Sequence, residues 1–243
     1  MKVLIVYAHP ESSSFNGAMK NLAVSVLTQK GHEVKVSDLN DMTFNASLTR
    51  NDFHKIRNTD YVNYVMELKN YYEKGELADD ILREQEKLIW ADFIIFQYPV
   101  WWFSVPAILK GWFDRVLATG FAWDFGKMYD TGLLSGKRGM LSVTTGGPEN
   151  IYAPDAPHGW NMDQVLYPVN HGVLYFCGIQ PLPPFVAYAV FQAGDDIRKQ
   201  YLEDYKNHLL TLESTEPIKY YCLSDFDENM KLRSGKSHST ISS

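Results

Sequence analysis

The chain has few cysteines and no excess of positive charge. Two cysteines, Cys177 and Cys222, stand among 243 residues, which is too few for a disulfide framework and compatible with a reducing cytoplasm. The formal net charge is −6, and the chain has no basic block of the kind that binds nucleic acid. We therefore expect a cytoplasmic protein that does not bind nucleic acid.

The chain also lacks an uninterrupted apolar run long enough to cross a membrane. The best candidate, residues 88–109, is broken by polar residues and two prolines, whereas a membrane helix needs about 20 consecutive apolar residues. The N-terminal apolar run ends in His-Pro-Glu rather than in a small-residue cleavage site. We expect a buried first strand and no membrane insertion.

What the chain does have is a repeated order of apolar strand and amphipathic helix. Continuous apolar runs predict strands, and 3.6-residue periodicity predicts the helices between them. The predicted strands are Lys2–Ala8, His32–Ser37, Ala91–Tyr98, Lys137–Thr144 and an extended segment over Ile179–Val190; the predicted helices are Asn16–Lys30, Leu77–Trp90, Pro106–Ala118, Met162–Phe176 and Asp195–Leu212. This alternation predicts an α/β fold with a doubly wound, parallel, five-stranded sheet and helices on both faces.

Two stretches depart from the alternation. Asp38–Glu76 is polar and rich in tyrosine, and we expect it to be an insertion. Glu213–Ser243 ends in "RSGKSHSTISS", which indicates an arm or a disordered end. We therefore expect one domain over residues 1–212 and a C-terminal extension or tail over residues 213–243.

Candidate sites follow the predicted strands, because doubly wound sheets bind ligands beyond the carboxyl ends of their strands. The first of these loops, Ala8–Asn16, lacks both the G-x-G-x-x-G fingerprint and the P-loop ending. Its serines precede a helix N-terminus, where free N–H groups and the helix dipole can hold a phosphate. A plain helix cap is an equally good explanation of the same residues.

The next two loops are aromatic and glycine-rich. Trp101, Trp102 and Phe103 can stack on a flat ligand, although packing in a core or a dimer interface would also use such rings. The third loop pairs a glycine turn, which permits close approach to a ligand, with the proton donors Tyr152 and His158. A phosphate loop, an aromatic wall and a turn with two donors together suit a flavin.

Long ordered runs of the chain resemble one known family. "KVLIVYAHPESSSFNGAMK", "IFQYPVWWFSVPAILKGWFDRVLATGFAW", "MYDTGLLSGK", "LSVTTGG", the pair Tyr152/His158 and "LYFCG" resemble the NAD(P)H:quinone oxidoreductases of the DT-diaphorase type. The resemblance covers about residues 2–217. It implies a flavodoxin-like fold, FAD as the cofactor, a homodimer whose active sites are shared by both chains, and two-electron, ping-pong transfer of a hydride from NAD(P)H to flavin N5 and then to a quinone.

The resemblance also implies roles for individual residues. The implied FAD contacts are His9, Ser13, Phe15, Asn16, Pro99, Val100, Trp101, Trp102, Phe103, Thr144, Thr145, Gly146 and Gly147. Tyr152 and His158 would be catalytic and assist charge development on the ring. The substrate pocket would have Trp102 and Phe103 as its floor, with Trp123, Phe125 and Phe176 supplied by the partner chain as its other wall.

Two departures from the family pattern concern substrate and metal. Trp123 and Phe125 stand where a member has tyrosines, which leaves the quinone specificity open. Some relatives bind a metal through two histidines and a cysteine; here His171 falls at one ligand position, Tyr175 occupies another and Cys222 lies near the third. One imidazole and one thiol make a poor zinc site, so we expect no metal.

Two alternative functions stay open at this point. One is an FMN- or FAD-dependent azo- or nitroreductase of the same architecture, and the other is a regulatory flavoprotein that binds a membrane transporter. The sequence also leaves open whether the hydride donor is NADH, NADPH or a smaller dihydronicotinamide.

Overall fold

A computed structural model of the chain describes residues 1–54, 56 and 60–235. Strands and helices alternate through most of this part of the chain. In order they are β1 (Lys2–Tyr7), α1 (Phe15–Gln29), β2 (Glu33–Asp38), α2 (Tyr64–Lys74), α3 (Asp79–Trp90), β3 (Phe93–Pro99), α4 (Ala107–Val116), β4 (Arg138–Thr144), α5 (Met162–Val169), β5 (Gln180–Pro181), β6 (Phe185–Ala187) and α6 (Asp195–Leu210).

The strands form one parallel sheet in the order β2-β1-β3-β4-β5, with β6 also paired to β4. The sheet thus has five positions, as the sequence predicts, and the fifth position is divided between two short strands. β5 pairs with the start of β4, and β6 pairs with its end. Pro183 and Pro184 lie between them, where the missing N–H of proline cannot join a ladder.

The apolar strands are buried because helices cover both faces of the sheet. Successive side chains of a strand point to opposite faces, so β1 and β3 contribute to two separate cores. Leu4 and Ile94 belong to the core that contains Trp112 of α4. Val3 and Phe93 belong to the core on the other face, with α1 and α6 above them. The doubly wound α/β prediction is confirmed.

The helix predicted over Met162–Phe176 is wrong in its second half. The α-helix ends at Val169, a π-helical turn follows over Asn170–Leu174, and a 3-10 turn closes the segment over Tyr175–Cys177. Pro168 lies inside α5 and cannot donate the hydrogen bond that continues a regular α-helix. The amphipathic pattern therefore continues beyond the point at which the α-helical hydrogen bonding stops.

The predicted insertion contains α2 and is held to the body by a buried ion network. The guanidinium of Arg115 lies 2.6 Å from Asp52 and 2.5 Å from Asp80, and it donates to the Asn45 carbonyl oxygen. Arg115 is 1% exposed, so these acceptors replace the water that its charge gives up.

The described part of the tail packs against the body. The Ile218 amide donates to the Pro181 carbonyl oxygen at 2.7 Å, and the Leu223 amide donates to the Asp130 carboxylate at 2.7 Å. Residues 236–243, the end of the segment for which the sequence leaves an arm or a disordered tail open, lie outside the described residues. Over the described ranges, no helix is long and apolar enough to cross a bilayer.

Candidate active site

A cleft of about 790 Å³ opens at the carboxyl edge of the sheet, where the loops after β1, β3 and β4 meet. Its walls are His9, Glu11, Ser13, Ser14, Phe15, Asn16, Ala18, Pro99, Val100, Trp101, Trp102, Thr144, Thr145, Gly146, Val190, Phe191 and Arg198. Because β1, β3 and β4 are adjacent and parallel, these loops share one edge. Most residues predicted to bind the cofactor therefore line a single cleft.

The first loop folds back onto the N-terminus of α1. Ser14 is the N-cap and accepts a hydrogen bond from the Gly17 amide at 3.1 Å. A Cβ at Gly17 would lie 2.0 Å from the Ser12 carbonyl oxygen, so only glycine allows this close approach. The fold thereby directs the serines of the loop and the first-turn amides of α1 toward the cleft.

The same loop shows that it can hold an anion. The Glu11 carboxylate accepts from the Ser13 amide at 2.8 Å and from the Ser13 hydroxyl at 2.7 Å. These two hydrogen bonds lower the pKa of Glu11. The donors fit a phosphate oxygen by the same chemistry, so the residues present suit the phosphate end of a flavin nucleotide.

A buried polar network joins the first and third loops beneath the cleft. Asn16 is 3% exposed; its Nδ2 donates to the Thr144 hydroxyl at 2.7 Å, and its Oδ1 accepts from Gln97 at 2.6 Å. The Tyr205 hydroxyl reaches Gln97 at 3.4 Å. The Asn16 side chain is therefore engaged within the protein and positions the loops, while its backbone amide remains at the helix N-terminus.

The second loop presents its aromatic rings on a tight turn. Trp101 and Ser104 exchange backbone hydrogen bonds of 3.0 Å, and the two residues between them have φ of 52° at Trp102 and 57° at Phe103. This left-handed region is costly for residues other than glycine and asparagine. Trp102 is 96% exposed. A strained turn that holds a bulky ring exposed to solvent is typical of a functional position.

The predicted catalytic pair lies beside the cleft. The rings of Tyr152 and His158 have centroids 4.7 Å apart, and His158 also meets the Phe103 ring edge-on at 4.9 Å. Burial raises the pKa of Tyr152, and a hydrogen bond with the Thr145 side chain partly offsets this rise. Gly147 is also next to this pair, and a Cβ there would lie 2.5 Å from Ile151. A side chain at position 147 would therefore require the Ile151 side chain to move.

Trp123, Phe125 and Phe176 form a cluster of their own, away from the walls of this cleft. The Trp123 ring lies 5.8 Å from Phe125 and 5.5 Å from Phe176, and Tyr129 completes the group at 5.3 Å from Phe176. Phe125 is 65% exposed. Their predicted role as a wall supplied by a partner chain stays a prediction.

His171 lies in an aromatic environment. Its ring stacks on Tyr167 at 4.8 Å and meets Tyr220 edge-on at 4.8 Å. The Tyr175 hydroxyl donates to the Tyr221 carbonyl oxygen at 3.0 Å. In the described ranges, no group of three or more His, Cys, Asp or Glu side chains could hold a metal ion.

Several cleft residues were not predicted from the sequence. Val190, Phe191 and Arg198 reach the cleft because the Val190 amide pairs with the Thr145 carbonyl oxygen beside β4. Arg198 donates to the Val190 carbonyl oxygen at 3.3 Å and to Asp195 at 3.2 Å. Ligands bind beyond the carboxyl ends of the strands, and the loop that carries Val190 and Phe191 follows β6 at the same edge of the sheet. The rule that indicated the other loops could therefore have indicated this loop as well.

The fold and the cleft define a flavodoxin-like protein, and a family model for the flavodoxin-like fold matches residues 1–209. The chain is 44% identical to rat NAD(P)H dehydrogenase [quinone] 1 over 231 residues, which cover 95% of this chain and 84% of the relative. It is 45% identical to human ribosyldihydronicotinamide dehydrogenase [quinone] over 218 residues, 89% of this chain and 94% of the relative.

A solved structure supports the same assignment. The crystal structure of a candidate quinone reductase from Klebsiella pneumoniae superposes with a TM-score of 0.92 at 39% identity, covering 98% of this chain and 97% of that one. The chain therefore belongs to the NAD(P)H:quinone oxidoreductase family, as its sequence motifs predict.

Proposed function

We propose that the protein is an FAD-dependent NAD(P)H:quinone oxidoreductase that transfers two electrons in a ping-pong sequence. The observation that carries this proposal is a single cleft that joins an anion-holding loop to an exposed aromatic wall, with the Tyr152–His158 pair beside it. When bound, the flavin accepts a hydride from a reduced nicotinamide and passes it to the quinone.

Tyr152 would donate a hydrogen bond to developing charge, and His158 would carry the proton that accompanies the hydride to the quinone. The raised pKa of Tyr152 keeps its hydroxyl protonated, so it can donate to negative charge that develops beside it. The His158 imidazole, in ring contact with Tyr152, can take up a proton in one half-reaction and return it in the next. Neither residue needs a large movement, because both are in the same loop after β4.

The far end of the cleft favours FAD over a smaller flavin. Beyond the Ser13 loop the walls continue to Phe191 and Arg198. Arg198 provides a cation for a second phosphate, and an aromatic ring lies near it for a second flat group. A diphosphate and an adenine would use these groups, whereas a monophosphate would leave them free.

A shared site in a homodimer accounts for the uncovered rings. Trp102 is 96% exposed and Phe125 is 65% exposed in the single chain, and large exposed apolar groups mark interaction surfaces. We infer that Trp123, Phe125 and Phe176 of one protomer face the Trp102 and Phe103 of its partner, and that a flat quinone lies between them.

The test is an anaerobic stopped-flow experiment on FAD-loaded protein. Addition of NADH, NADPH or ribosyldihydronicotinamide should bleach the flavin absorbance, and menadione should then restore it fully. The comparison of donors is needed because the two relatives are named for different ones. Protein that is colourless after FAD loading and removal of the excess would overturn the proposal. Bleaching that only an azo dye reverses would favour an azoreductase, and bleaching that no added acceptor reverses would favour a regulatory flavoprotein.

A further inference from the structure

The first loop carries a negative charge at the place where a cofactor phosphate would bind. Glu11 lines the cleft with Ser13, and its carboxylate takes both the amide and the hydroxyl hydrogen bonds of that serine, at 2.8 Å and 2.7 Å. A phosphate that binds at Ser13 therefore has to displace this carboxylate or lie against it.

The cations near the first loop are engaged elsewhere. Lys20 of α1 pairs with Asp38 at 2.9 Å, and Arg198 donates to the Val190 carbonyl oxygen and to Asp195. Neither Lys20 nor Arg198 forms an ion pair with Glu11; a cationic influence on the Glu11 pKa comes from His9 of the same loop and ranks below the Ser13 hydrogen bonds. An anion at Ser13 meets like-charge repulsion that grows with the charge it carries.

We propose that Glu11 is a specificity-determining residue that favours the diphosphate of FAD over the monophosphate of FMN. The inference rests on the proposed function, because it concerns the cofactor of that site. A phosphomonoester concentrates a charge of about −1.5 to −2 on one phosphate at pH 7, whereas each phosphate of a diphosphate diester carries a single negative charge. The diphosphate is repelled less at Ser13, and its second phosphate can use Arg198.

Flavin binding to the apoprotein tests this proposal directly. The apoprotein is titrated with FAD, FMN and riboflavin, and the dissociation constants are read from flavin fluorescence in the wild type and in Glu11→Gln. Glutamine keeps a carbonyl acceptor for Ser13 and removes only the charge. Glu33→Gln is the matched control, because Glu33 begins β2 at the opposite edge of the sheet.

The expected result is a change in the ratio of affinities. Glu11→Gln should bind FMN roughly tenfold more tightly, FAD roughly twofold more tightly and riboflavin as before. The difference between FMN and FAD should shrink in high salt, since screening weakens a charge effect at an exposed loop. Glu33→Gln should leave all three dissociation constants unchanged.

Equal effects on FMN and FAD, or an equal effect on riboflavin, would overturn the charge mechanism. A wild type whose FMN-to-FAD preference does not respond to salt would also overturn it. These outcomes are distinct from failure of the proposed function: a protein that shows the predicted shift but does not reduce menadione supports the role of Glu11 and contradicts quinone reduction. Absence of binding by every flavin overturns both.

Discussion

Trp102 combines two unfavourable features, a left-handed backbone and a ring that is 96% exposed. Neither contributes to the stability of the single chain, so their benefit has to come from a ligand or a partner. We expect Trp102→Ala to lower kcat/KM for menadione roughly three- to tenfold, the equivalent of one aromatic contact. The melting temperature of the variant should not fall.

Steady-state kinetics and thermal unfolding of the same preparation check this expectation. Ile89→Ala on α3 is the control, since Ile89 is another exposed apolar side chain, at 62%, far from the strand-end loops. A Trp102→Ala enzyme with unchanged kcat/KM would remove the stacking role.

Tyr152 offers a second prediction for a single residue. Tyr152→Phe keeps the ring that contacts His158 and Tyr188 and removes only the hydroxyl. We expect kcat to fall about a hundredfold, the usual effect of losing one preorganised donor, while FAD still binds. Single-turnover flavin reduction measures the effect apart from product release.

The control is Tyr188→Phe, which removes a neighbouring hydroxyl and should retain most of the activity. Equal losses in both variants would argue against a specific role for Tyr152.

Among the elements, those with a clear period were predicted well and those that depend on tertiary contacts were not. α1, α3 and α4 each start one or two residues from their predicted starts, because the apolar periodicity of a helix can be recognised in the sequence without its tertiary contacts. α2 was missed because its segment was interpreted as a polar, tyrosine-rich insertion, although six of its 11 residues are aliphatic, methionine or tyrosine. The fifth sheet position is divided because β5 and β6 pair with different backbone groups of β4, and the sequence contains no sign of that pairing.

Arg115 connects the insertion, α3 and α4, and its loss should affect all three. Arg115→Ala leaves Asp52, which is 1% exposed, as a buried carboxylate without its cation. Removal of one partner of a buried pair typically costs about 3–5 kcal/mol. We expect the free energy of unfolding in urea to fall by that amount. Lys110→Ala is the matched control, because the Lys110–Asp114 pair is exposed and such pairs contribute about 0–1 kcal/mol. Similar losses in the two variants would contradict the assignment.

The junction of the first loop and α1 yields a prediction about glycine. A Cβ at Gly17 would lie 2.0 Å from the Ser12 carbonyl oxygen, so Gly17→Ala must move the loop away from the helix. We expect the variant to fold and to lose most of its FAD affinity, because Ser13 moves with the loop. Gly172→Ala serves as the control, since no atom lies within 4 Å of a Cβ at that position. Flavin content after desalting and far-UV circular dichroism distinguish loss of binding from loss of fold; full flavin retention by Gly17→Ala would show that the loop tolerates the shift.

For the molecule as a whole, topology made the candidate site predictable. Parallel strands bring the loops after β1, β3 and β4 to one edge, so residues from positions 9 to 158 could be grouped from the sequence alone. The Asn16–Gln97–Tyr205 network could not, because its members lie on different elements and face a buried space that only the folded chain defines.

The pH dependence of stability is a property of the whole chain that follows from its partly buried histidines. Burial lowers the pKa of His32, His171 and His208. The unfolded chain then binds more protons than the folded one once the pH falls below about 6.5, the ordinary value, so the free energy of unfolding rises with pH in that range and is lost on acidification. The pKa values of Glu11 and Asp124 are lowered by hydrogen bonds rather than by burial. These carboxyl groups also make the folded chain less stable on acidification, but only near pH 4 and below.

We therefore expect stability to fall between pH 7 and pH 5, before the carboxylates titrate. Urea unfolding of the FAD-loaded protein at several pH values measures the slope. His208→Leu should flatten that slope, because the His208 ring packs against Phe185 and its Nε2 is buried without a hydrogen-bond partner in the described part of the chain. His54→Gln, at an exposed position, should leave the slope as it is. A free energy of unfolding that is constant from pH 7 to pH 5 would show that these partly buried imidazoles become protonated without cost, and the packing around His208 would then have to admit water.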